Sequence, residues 1–235
     1  MRKIILVVLM LISLCGVCSA EKQEWIDKSY DFSKVKRVTV LDPIIADNIK
    51  NGIAEREIAE IFKSKIKLSD IKIVEPAIVI LSMNAEFGID LLELNKTNPQ
   101  EARKIIDENT YKYTDILIKS EVGIYGMGTT YSNGFSYNTT YNQTSQVIGS
   151  NGLSGTIQTP ITQTHTVGGG NVDTACASVS FKATDTRTGK DIFLRIDNRA
   201  KANITRLDNT VPKDVFGRIV SSFFNDFNGK LRTDI

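Results

Sequence analysis

A stretch of 51 residues, Val122 to Val172, contains no Asp, Glu, Lys or Arg, although 24% of the whole chain is charged. It holds ten of the 16 glycines and four of the seven tyrosines, mixed with Thr, Ser, Asn and Gln. This polar but neutral composition is typical of long hairpins or of loosely ordered surface inserts. The fold must therefore accommodate a long neutral insert between two segments that carry the usual share of charged residues.

The amino terminus predicts export. Met1 to Ala20 begins with Arg2 and Lys3, continues through an apolar run and ends in Cys18-Ser19-Ala20. This is the pattern of a secretory signal peptide, and the run is too short for the roughly 20 residues of a spanning helix. Because Cys15 and Cys18 follow the large residues Leu14 and Val17, cleavage after Ala20 is favoured over lipidation. We expect an exported protein of the periplasm or cell surface, with residues 21–235 forming a single domain.

The charge balance of the cleaved chain excludes one class of partner. Removal of the first 20 residues leaves 215 residues with 27 basic and 27 acidic side chains, a formal charge of zero. Without a basic cluster, nucleic acid is not an expected partner. Cys176 would be the sole remaining cysteine, which excludes an intramolecular disulfide framework and favours a small buried side chain over a reactive thiol.

The segments before the insert alternate between strand and helix patterns. Val35 to Leu41 predicts a buried strand, and Asp42-Pro43 predicts the start of a helix that runs to about Lys65. Asn98 and Pro99 predict a second helix start. Ala77 to Leu94 is apolar without a clear period and stays undecided. Two further strands are expected, one at Ile71 to Val74 and one at Tyr113 to Tyr125.

The segments after the insert predict a hairpin and a helix. Ala175, Ala177, Val179, Phe181 and Ala183 share one side of a strand, and the residues Asp185 to Lys190 have turn chemistry. A second strand follows, with Ile192, Leu194 and Ile196 alternating. Pro212 opens a helix with a long apolar stripe, which Asn228-Gly229 is expected to end. The order of elements predicts an α+β fold, in which helices pack on a mixed β-sheet and the insert forms a long hairpin or loop.

The sequence contains no strong catalytic or metal-binding pattern. His165 is the single histidine, and no thiolate or second imidazole lies near it in sequence, so a metal site is not expected. His165 and Cys176 could act as base and nucleophile only if the fold brought them together, and their spacing does not predict this. Gly189-Lys190 lacks the earlier glycine of a phosphate loop, so a turn stabilised by Asp185 is expected. Two acidic sets are weak candidates for paired carboxylates, Glu86 with Asp90 and Glu93, and Asp173 with Asp191. We expect no catalytic residue, no cofactor and no metal.

The aromatic residues of the insert are the best candidates for an interaction site. They are Tyr125, Tyr131, Phe135, Tyr137 and Tyr141, interleaved with Gly, Thr, Ser and Asn. A membrane hairpin, self-association through cross-strand stacking, and binding of a protein or glycan to tyrosine faces all fit. Thr and Asn at many outward positions weaken the membrane interpretation. A mobile hairpin or loop without a binding role is the remaining alternative.

Several short motifs together resemble a group of bacterial envelope proteins. They are the signal peptide, Trp25, Tyr30-Asp31-Phe32, the strand Arg37 to Leu41, and the turn Asp185 to Lys190 before an apolar helix. The group includes the curli secretion-channel lipoproteins and the amino-terminal domain of TolB-like periplasmic proteins. The resemblance implies a small, non-enzymatic α/β domain that works through protein contacts, and in the channel members by oligomerising and inserting hairpins into the membrane. The chain departs from the group in its missing lipidation cysteine and its more polar insert.

Together these features predict an exported, non-enzymatic envelope protein that acts through protein contacts, in assembly or secretion. A protein partner or a second copy of the chain is expected, and membrane association stays open. Two alternatives remain at this stage. One is an oligomeric outer-membrane channel component, and the other is an envelope hydrolase that would use acidic residues, with Asp185, Asp191 and His165 as its first candidates.

Overall fold

A computed structural model of the protein describes residues 21–132, 135–148, 154–167, 169–203 and 209–232. The expected signal peptide lies outside the described residues. A seven-stranded mixed sheet forms the centre of the molecule, and five helices accompany it in the described part. The predicted α+β class with a mixed sheet is confirmed.

The elements follow one another in a strand and helix alternation that ends in long antiparallel strands. The strands are β1 Glu21–Ile26, β2 Arg37–Val40, β3 Ile44–Ile45, β4 Lys72–Ile73, β5 Ile116–Ser132, β6 Phe135–Ile148, β7 Ser154–Val167, β8 Gly170–Asp185 and β9 Asp191–Ala202. The helices are α1 Gly52–Lys65, α2 Pro76–Phe87, α3 Leu91–Thr97, α4 Pro99–Asn109 and α5 Pro212–Leu231.

The main sheet has the strand order β1-β9-β8-β5-β2-β4, and β3 also pairs with β5. The pairs β2–β4, β2–β5 and β3–β5 are parallel, whereas β1–β9, β5–β8 and β8–β9 are antiparallel. Parallel pairing requires a crossover, and α1 and the helices α2 to α4 provide these connections. β6 and β7 form a separate two-stranded sheet.

The core lies between one face of this sheet and the helices α1 and α5. All the apolar positions that the sequence predicts for α5 are buried, and Phe223 stacks on Phe181 of β8 with ring centroids 4.0 Å apart. Gly217 faces α1, where a Cβ would make ordinary van der Waals contact with the Ile61 side chain at 3.5 Å. The helix runs to Leu231, past the Asn228-Gly229 end predicted from the sequence.

The first helix begins nine residues later than predicted. Asn51, not Asp42, caps it by accepting a hydrogen bond from the N–H of Ala54 at 2.9 Å. Ile44 and Ile45 instead pair with Glu121 and Val122 of β5. The open edge of β5 at this height accounts for the difference, since an extended segment there satisfies backbone groups that a helix would leave unpaired. Ile53, predicted on the buried stripe, is 76% exposed.

The undecided segment Ala77 to Leu94 forms two helices, α2 and the start of α3. With α4 they enclose a small second apolar cluster of Val74, Val79, Met83 and Leu91. Asn98 caps α4 as predicted, accepting from the N–H of Glu101 at 3.3 Å. The short β4 lies at the position of the predicted strand Ile71 to Val74.

The last strand buries a different face from the one predicted. Leu194 and Ile196 are exposed, while Phe193, Arg195 and Asp197 are buried. The cause is a bulge, because Thr184 pairs with Asp191 and Ala183 pairs with Phe193, leaving Ile192 between them. The extra residue reverses the alternation for the rest of the strand. β8 itself buries the predicted face from Ala175 to Ala183.

Candidate functional site

Two strands of the main sheet extend well beyond the rest of it. β5 and β8 pair without interruption from Ile124 with Ser178 to Ser132 with Gly170. On one side, β3 ends its pairing with β5 at Val122, and on the other, β9 ends its pairing with β8 at Thr174. We call residues 124–172 the arm and the other described residues the body. The base of the arm follows a bulge between Val122 and Ile124.

The outer edge of β5 is open along the arm. From Ile124 to Ser132 the strand pairs only with β8 in the described part of the chain. Nine residues at about 3.4 Å each give an edge of about 30 Å. It carries no charged residue, and Ile124, Met127 and Tyr131 are 52%, 51% and 68% exposed. A long, neutral edge with exposed apolar side chains is a template for pairing with another chain.

The register of β6 and β7 sorts their residues onto two unlike faces. Phe135 pairs with Val167, Tyr137 with His165 and Tyr141 with Ile161. Because directly opposite residues share a face and alternate along the strands, these residues fall on one face. Seven of its 14 positions are aromatic or aliphatic, namely Phe135, Tyr137, Tyr141, Val147, Ile157, Ile161 and Val167.

The opposite face of the hairpin is almost entirely polar. Twelve of its 14 positions are Ser, Thr, Asn or Gln, and the exceptions are Ile148 and Pro160. From the sequence alone, Thr and Asn are expected at many outward positions of a membrane hairpin. The register places most of them together, so the hairpin is amphipathic. The first face still contains two polar pairs, Thr139 with Gln163 and Gln143 with Thr159.

Tyr125, the first predicted interaction residue, contacts the body. Its ring lies edge-on to Phe216 of α5 at 5.9 Å, and its hydroxyl donates a hydrogen bond to the carboxylate of Glu57 on α1. Burial raises the pKa of the Tyr125 phenol, and the Glu57 carboxylate raises it further. Tyr125 therefore fixes the base of the arm to two helices.

The remaining predicted residues lie farther out. Tyr131 is near the end of β5, opposite Asn171, and Phe135, Tyr137 and Tyr141 lie on the shared face of β6. The structure thus brings three of the five predicted aromatic residues onto one strand face. That they bind a partner stays a prediction.

The weaker sequence candidates do not form a site together. His165 lies opposite Tyr137 in β7, whereas Cys176 is half-buried in β8 of the main sheet. Asp173 and Asp191 lie at opposite ends of the paired region of β8 and β9. Glu86 contacts Lys112, Asp90 caps α3, and Glu93 pairs with Lys96.

The turn Asp185 to Lys190 has the structural role predicted for it. The Asp185 carboxylate accepts from the N–H of Thr188 at 3.0 Å, and the N–H of Gly189 donates to the Asp185 carbonyl at 2.9 Å. Gly189 has φ of +67°, a conformation that glycine adopts without a Cβ penalty. In the described residues, no group of three or more His, Cys, Asp or Glu side chains could hold a metal ion.

The structure contains a buried ionic cluster that the sequence does not predict. The Arg195 side chain is fully buried, and its Nη2 contacts the carboxylates of Glu24 and Asp226, the latter at 2.7 Å. The guanidinium also lies 5.5 Å from the ring centroids of Phe193 and Phe223. Burial would raise the pKa of Asp226, but Lys22 and Arg195 outweigh it and hold that pKa below its usual value. This cluster ties β1, β9 and α5 together.

Comparisons with known proteins give only weak likenesses. No family model and no curated protein matches the sequence. A solved PelC dodecamer from Paraburkholderia phytofirmans is similar at 8% identity and a TM-score of 0.40, with 89% of this chain and 98% of that chain covered. A hypothetical protein from Chlamydia trachomatis is similar at 8% identity and a TM-score of 0.42, with 85% of this chain and 99% of that chain covered. A lipoprotein from Neisseria meningitidis is similar at 13% identity and a TM-score of 0.33, with 83% of this chain and 99% of that chain covered. These values assign no function to the chain.

The described part of the chain contains five helices. None of them combines the length and the apolar character that crossing a bilayer demands.

Proposed function

We propose that this chain is an exported, non-enzymatic envelope protein whose arm makes protein contacts, in the first place with other copies of the same chain. The single observation that carries the proposal is the open, neutral edge of β5 next to an amphipathic hairpin. An unpaired edge offers backbone N–H and C=O groups to another strand. The register of the hairpin adds a face on which seven of 14 positions are aromatic or aliphatic.

The composition of the arm favours association with another protein chain over insertion into a lipid bilayer. Polar pairs such as Gln143 with Thr159 interrupt the apolar face. Amide side chains form ladders readily in protein interfaces between strands, but in a bilayer they lose hydrogen bonds to water. Neutrality across both faces also removes the like-charge repulsion that keeps exposed strand edges apart.

The register offers a clean way to test the arm. Ser132 lies directly opposite Gly170, so an Asn-Gly turn can replace residues 133–169 without moving either strand. We expect residues 21–235 to form an oligomer by light scattering after size-exclusion chromatography. The shortened protein keeps the open edge of β5 but loses the hairpin, so it should associate at least about tenfold more weakly. A monomer from both proteins at 100 µM would overturn the proposal.

Two neighbouring substitutions separate the faces of the hairpin. Tyr141→Lys puts a charge on the aromatic face, opposite Ile161, whereas Thr140→Lys puts the same charge on the polar face, opposite Thr162. We expect Tyr141→Lys to weaken association by about tenfold or more, as desolvating a charge in an interface does, and Thr140→Lys to leave it nearly unchanged. Equal effects from both would show that the faces do not matter.

Insertion of the hairpin into a membrane is a second candidate, favoured by strand length and register. β6 and β7 have 14 residues each, more than the 9–11 that a tilted strand needs to cross a bilayer. Flotation with vesicles of phosphatidylethanolamine and phosphatidylglycerol tests it. Co-flotation that Tyr141→Lys abolishes and Thr140→Lys preserves would favour insertion, and protein remaining in the bottom fraction would exclude it.

The alternative that the chain is an envelope hydrolase has a direct test. Asp185 and Asp191 each have a local structural partner, Thr188 for Asp185 and Lys182 for Asp191. We expect Asp185→Asn and Asp191→Asn to leave any hydrolysis of envelope polysaccharide by purified protein at its background level. Hydrolysis that either substitution abolished would replace the proposed function with an enzymatic one.

A further inference from the structure

A crevice of about 640 Å³ lies on the face of the sheet away from the main core, between the sheet and the helices α2 and α4. Its volume falls within the range of about 300–1,000 Å³ that is common for small-molecule sites. One wall is apolar, formed by Val79 and Ile80 of α2 with Ile106 of α4. The floor is the sheet, where Thr39, Leu117 and Thr184 lie side by side in register.

The floor contains a polar atom without a partner. Thr39 is 2% exposed, and its Oγ1 makes no hydrogen bond within the described part of the chain. The nearby hydroxyls differ, since Thr184 donates to Asp191 at 2.9 Å and Thr114 donates to the Ile116 carbonyl at 3.1 Å. A buried hydroxyl without a protein partner destabilises a folded chain, so the Thr39 hydroxyl at the bottom of the crevice is free to donate to a ligand oxygen or to a water molecule.

Two lysines lie in direct register on the same floor. Lys119 of β5 is opposite Lys182 of β8, and both line the crevice. Like charges directly opposite each other on one face of a sheet are destabilising. Lys182 is compensated by Asp191, with both carboxylate oxygens 3.4 Å from Nζ. Lys119 forms no ion pair within residues 21–132 or the other described ranges.

The acidic residues around the crevice are already engaged. Asp107 faces Arg103 at 3.6 Å, Asp185 accepts from Thr188, and Asp191 accepts from Thr184 and Lys182. The ammonium of Lys119 is therefore the charge on the floor that an incoming group can neutralise. It follows Leu117, the register partner of Thr39, by two residues, which is about 7 Å along the strand.

We propose that this crevice binds a small amphiphile with one anionic head group. The head group binds between Lys119 and Lys182, the Thr39 hydroxyl donates to an oxygen of the ligand, and the apolar part lies against Val79, Ile80 and Ile106. The anion relieves the repulsion between the two ammonium groups, and the apolar wall removes the hydrocarbon part of the ligand from water. The site lies on the body and does not depend on the proposed function of the arm.

The test uses a dansylated undecanoic acid as a fluorescent reporter and decanoic acid as competitor, with residues 21–235 intact. We expect binding that decanoate displaces and decyltrimethylammonium does not. Lys119→Gln should weaken decanoate binding by about tenfold, the worth of one charge-assisted hydrogen bond. Lys201→Gln is the matched control on β9, and it should change affinity by less than about twofold. Equal displacement by both amphiphiles, or equal effects of both lysine substitutions, would overturn the proposal.

Thr39→Val provides a second readout that separates binding from folding. Valine keeps the shape and removes the buried hydroxyl, so the thermal midpoint of the ligand-free protein should rise by about 2–4 °C. Decanoate affinity should fall by about threefold to tenfold, through loss of one hydrogen bond from the hydroxyl to the carboxylate. A higher thermal midpoint with unchanged affinity for decanoate would mean that the Thr39 hydroxyl bonds only to water, and the proposal would then be wrong.

Discussion

The body and the arm are both built from β-strands, but different interactions hold them. In the body, α1 and α5 cover one face of the sheet, and aromatic rings of α5 pack against those of β8 and β9. In the arm, backbone pairing continues past the last helix contact at Tyr125. Burial therefore selects the inner face of the strands in the body, whereas beyond Tyr125 the described strand β5 is held by its backbone pairing with β8 while Met127 and Tyr131 stay exposed. Changes to the two regions should therefore have very different consequences for folding.

The largest loss of stability is expected from Phe223→Ala in the body. Phe223 is fully buried and contacts Phe181, Phe193 and Phe227. Removal of the ring leaves a cavity that its rigid neighbours cannot fill, at a cost of about 3–5 kcal/mol in the free energy of unfolding. Urea unfolding followed by circular dichroism measures the loss. A change below about 1 kcal/mol would show that the body is not organised around α5.

Arg195 should give the next largest effect, and its two substitutions should differ. Arg195→Ala removes the packing against Phe223 together with the link to Glu24 and Asp226, which should cost about 3 kcal/mol. Arg195→Met keeps most of the packed volume, and both carboxylates reach solvent, so its cost should stay within about 1 kcal/mol. If both variants lose the same stability in urea unfolding, the charge of Arg195 matters more than its volume.

A smaller and pH-dependent effect is expected at Asp115, where β5 begins. Its carboxylate accepts from Arg37 Nη2 and from the N–H groups of Lys36 and Arg37, all at 2.9 Å. Burial alone would raise the pKa of Asp115, but these hydrogen bonds outweigh it and hold the pKa below its usual value. The stabilisation is therefore fully present above the unfolded pKa of about 4 and is lost as pH falls through the lower folded pKa.

Asp115→Asn should accordingly cost about 1.5 kcal/mol at pH 7 and less below pH 4. Thermal unfolding between pH 2.5 and 7 measures both. Asp107→Asn, on the exposed surface of α4, is the matched control and should change stability by less than about 0.5 kcal/mol at either pH. A loss for Asp115→Asn that is independent of pH would contradict the linkage argument.

The smallest effect on the body is expected from shortening the arm. Replacement of residues 133–169 by Asn-Gly removes β6 and β7, whereas the described core residues between the sheet and the helices α1 and α5 all lie outside that range. The free energy of unfolding of the body should change by about 0.5 kcal/mol or less. Hydrogen exchange of peptides from β8 and α5 measures this directly. Loss of protection in α5 would mean that arm and body fold as one unit.

The sequence predicted those parts of the fold where local signals and burial agree. The alternation of β8 and the stripe of α5 were read correctly because each has one buried face and a regular period. β1 was missed because Glu21–Ile26 is mostly polar and lies at the edge of the sheet, where little burial is required. The start of α1 was misplaced because pairing of Ile44 and Ile45 with β5 is a long-range contact that the local Asp-Pro signal cannot reveal.

The candidate sites show the same division. The aromatic residues of the insert stand out by composition, but only register shows that Tyr137 and Tyr141 share a face while Tyr125 packs on the body. Thr39, Lys119 and Lys182 come from three strands, and no sequence pattern links them. The bulge at Ile192 reverses the faces of β9, and a single residue of that kind leaves no clear trace in the hydrophobic period.

The direct pairing of Ser132 with Gly170 has a consequence for how such a chain can change over time. The two strands that leave the body are neighbours at their far end, about 5 Å apart between Cα atoms. Insertions and deletions beyond that point, made in pairs that keep the register, alter reach and surface without touching a buried contact. Selection can therefore act on the length and composition of the arm while the body stays constant, and one scaffold can present many different tips.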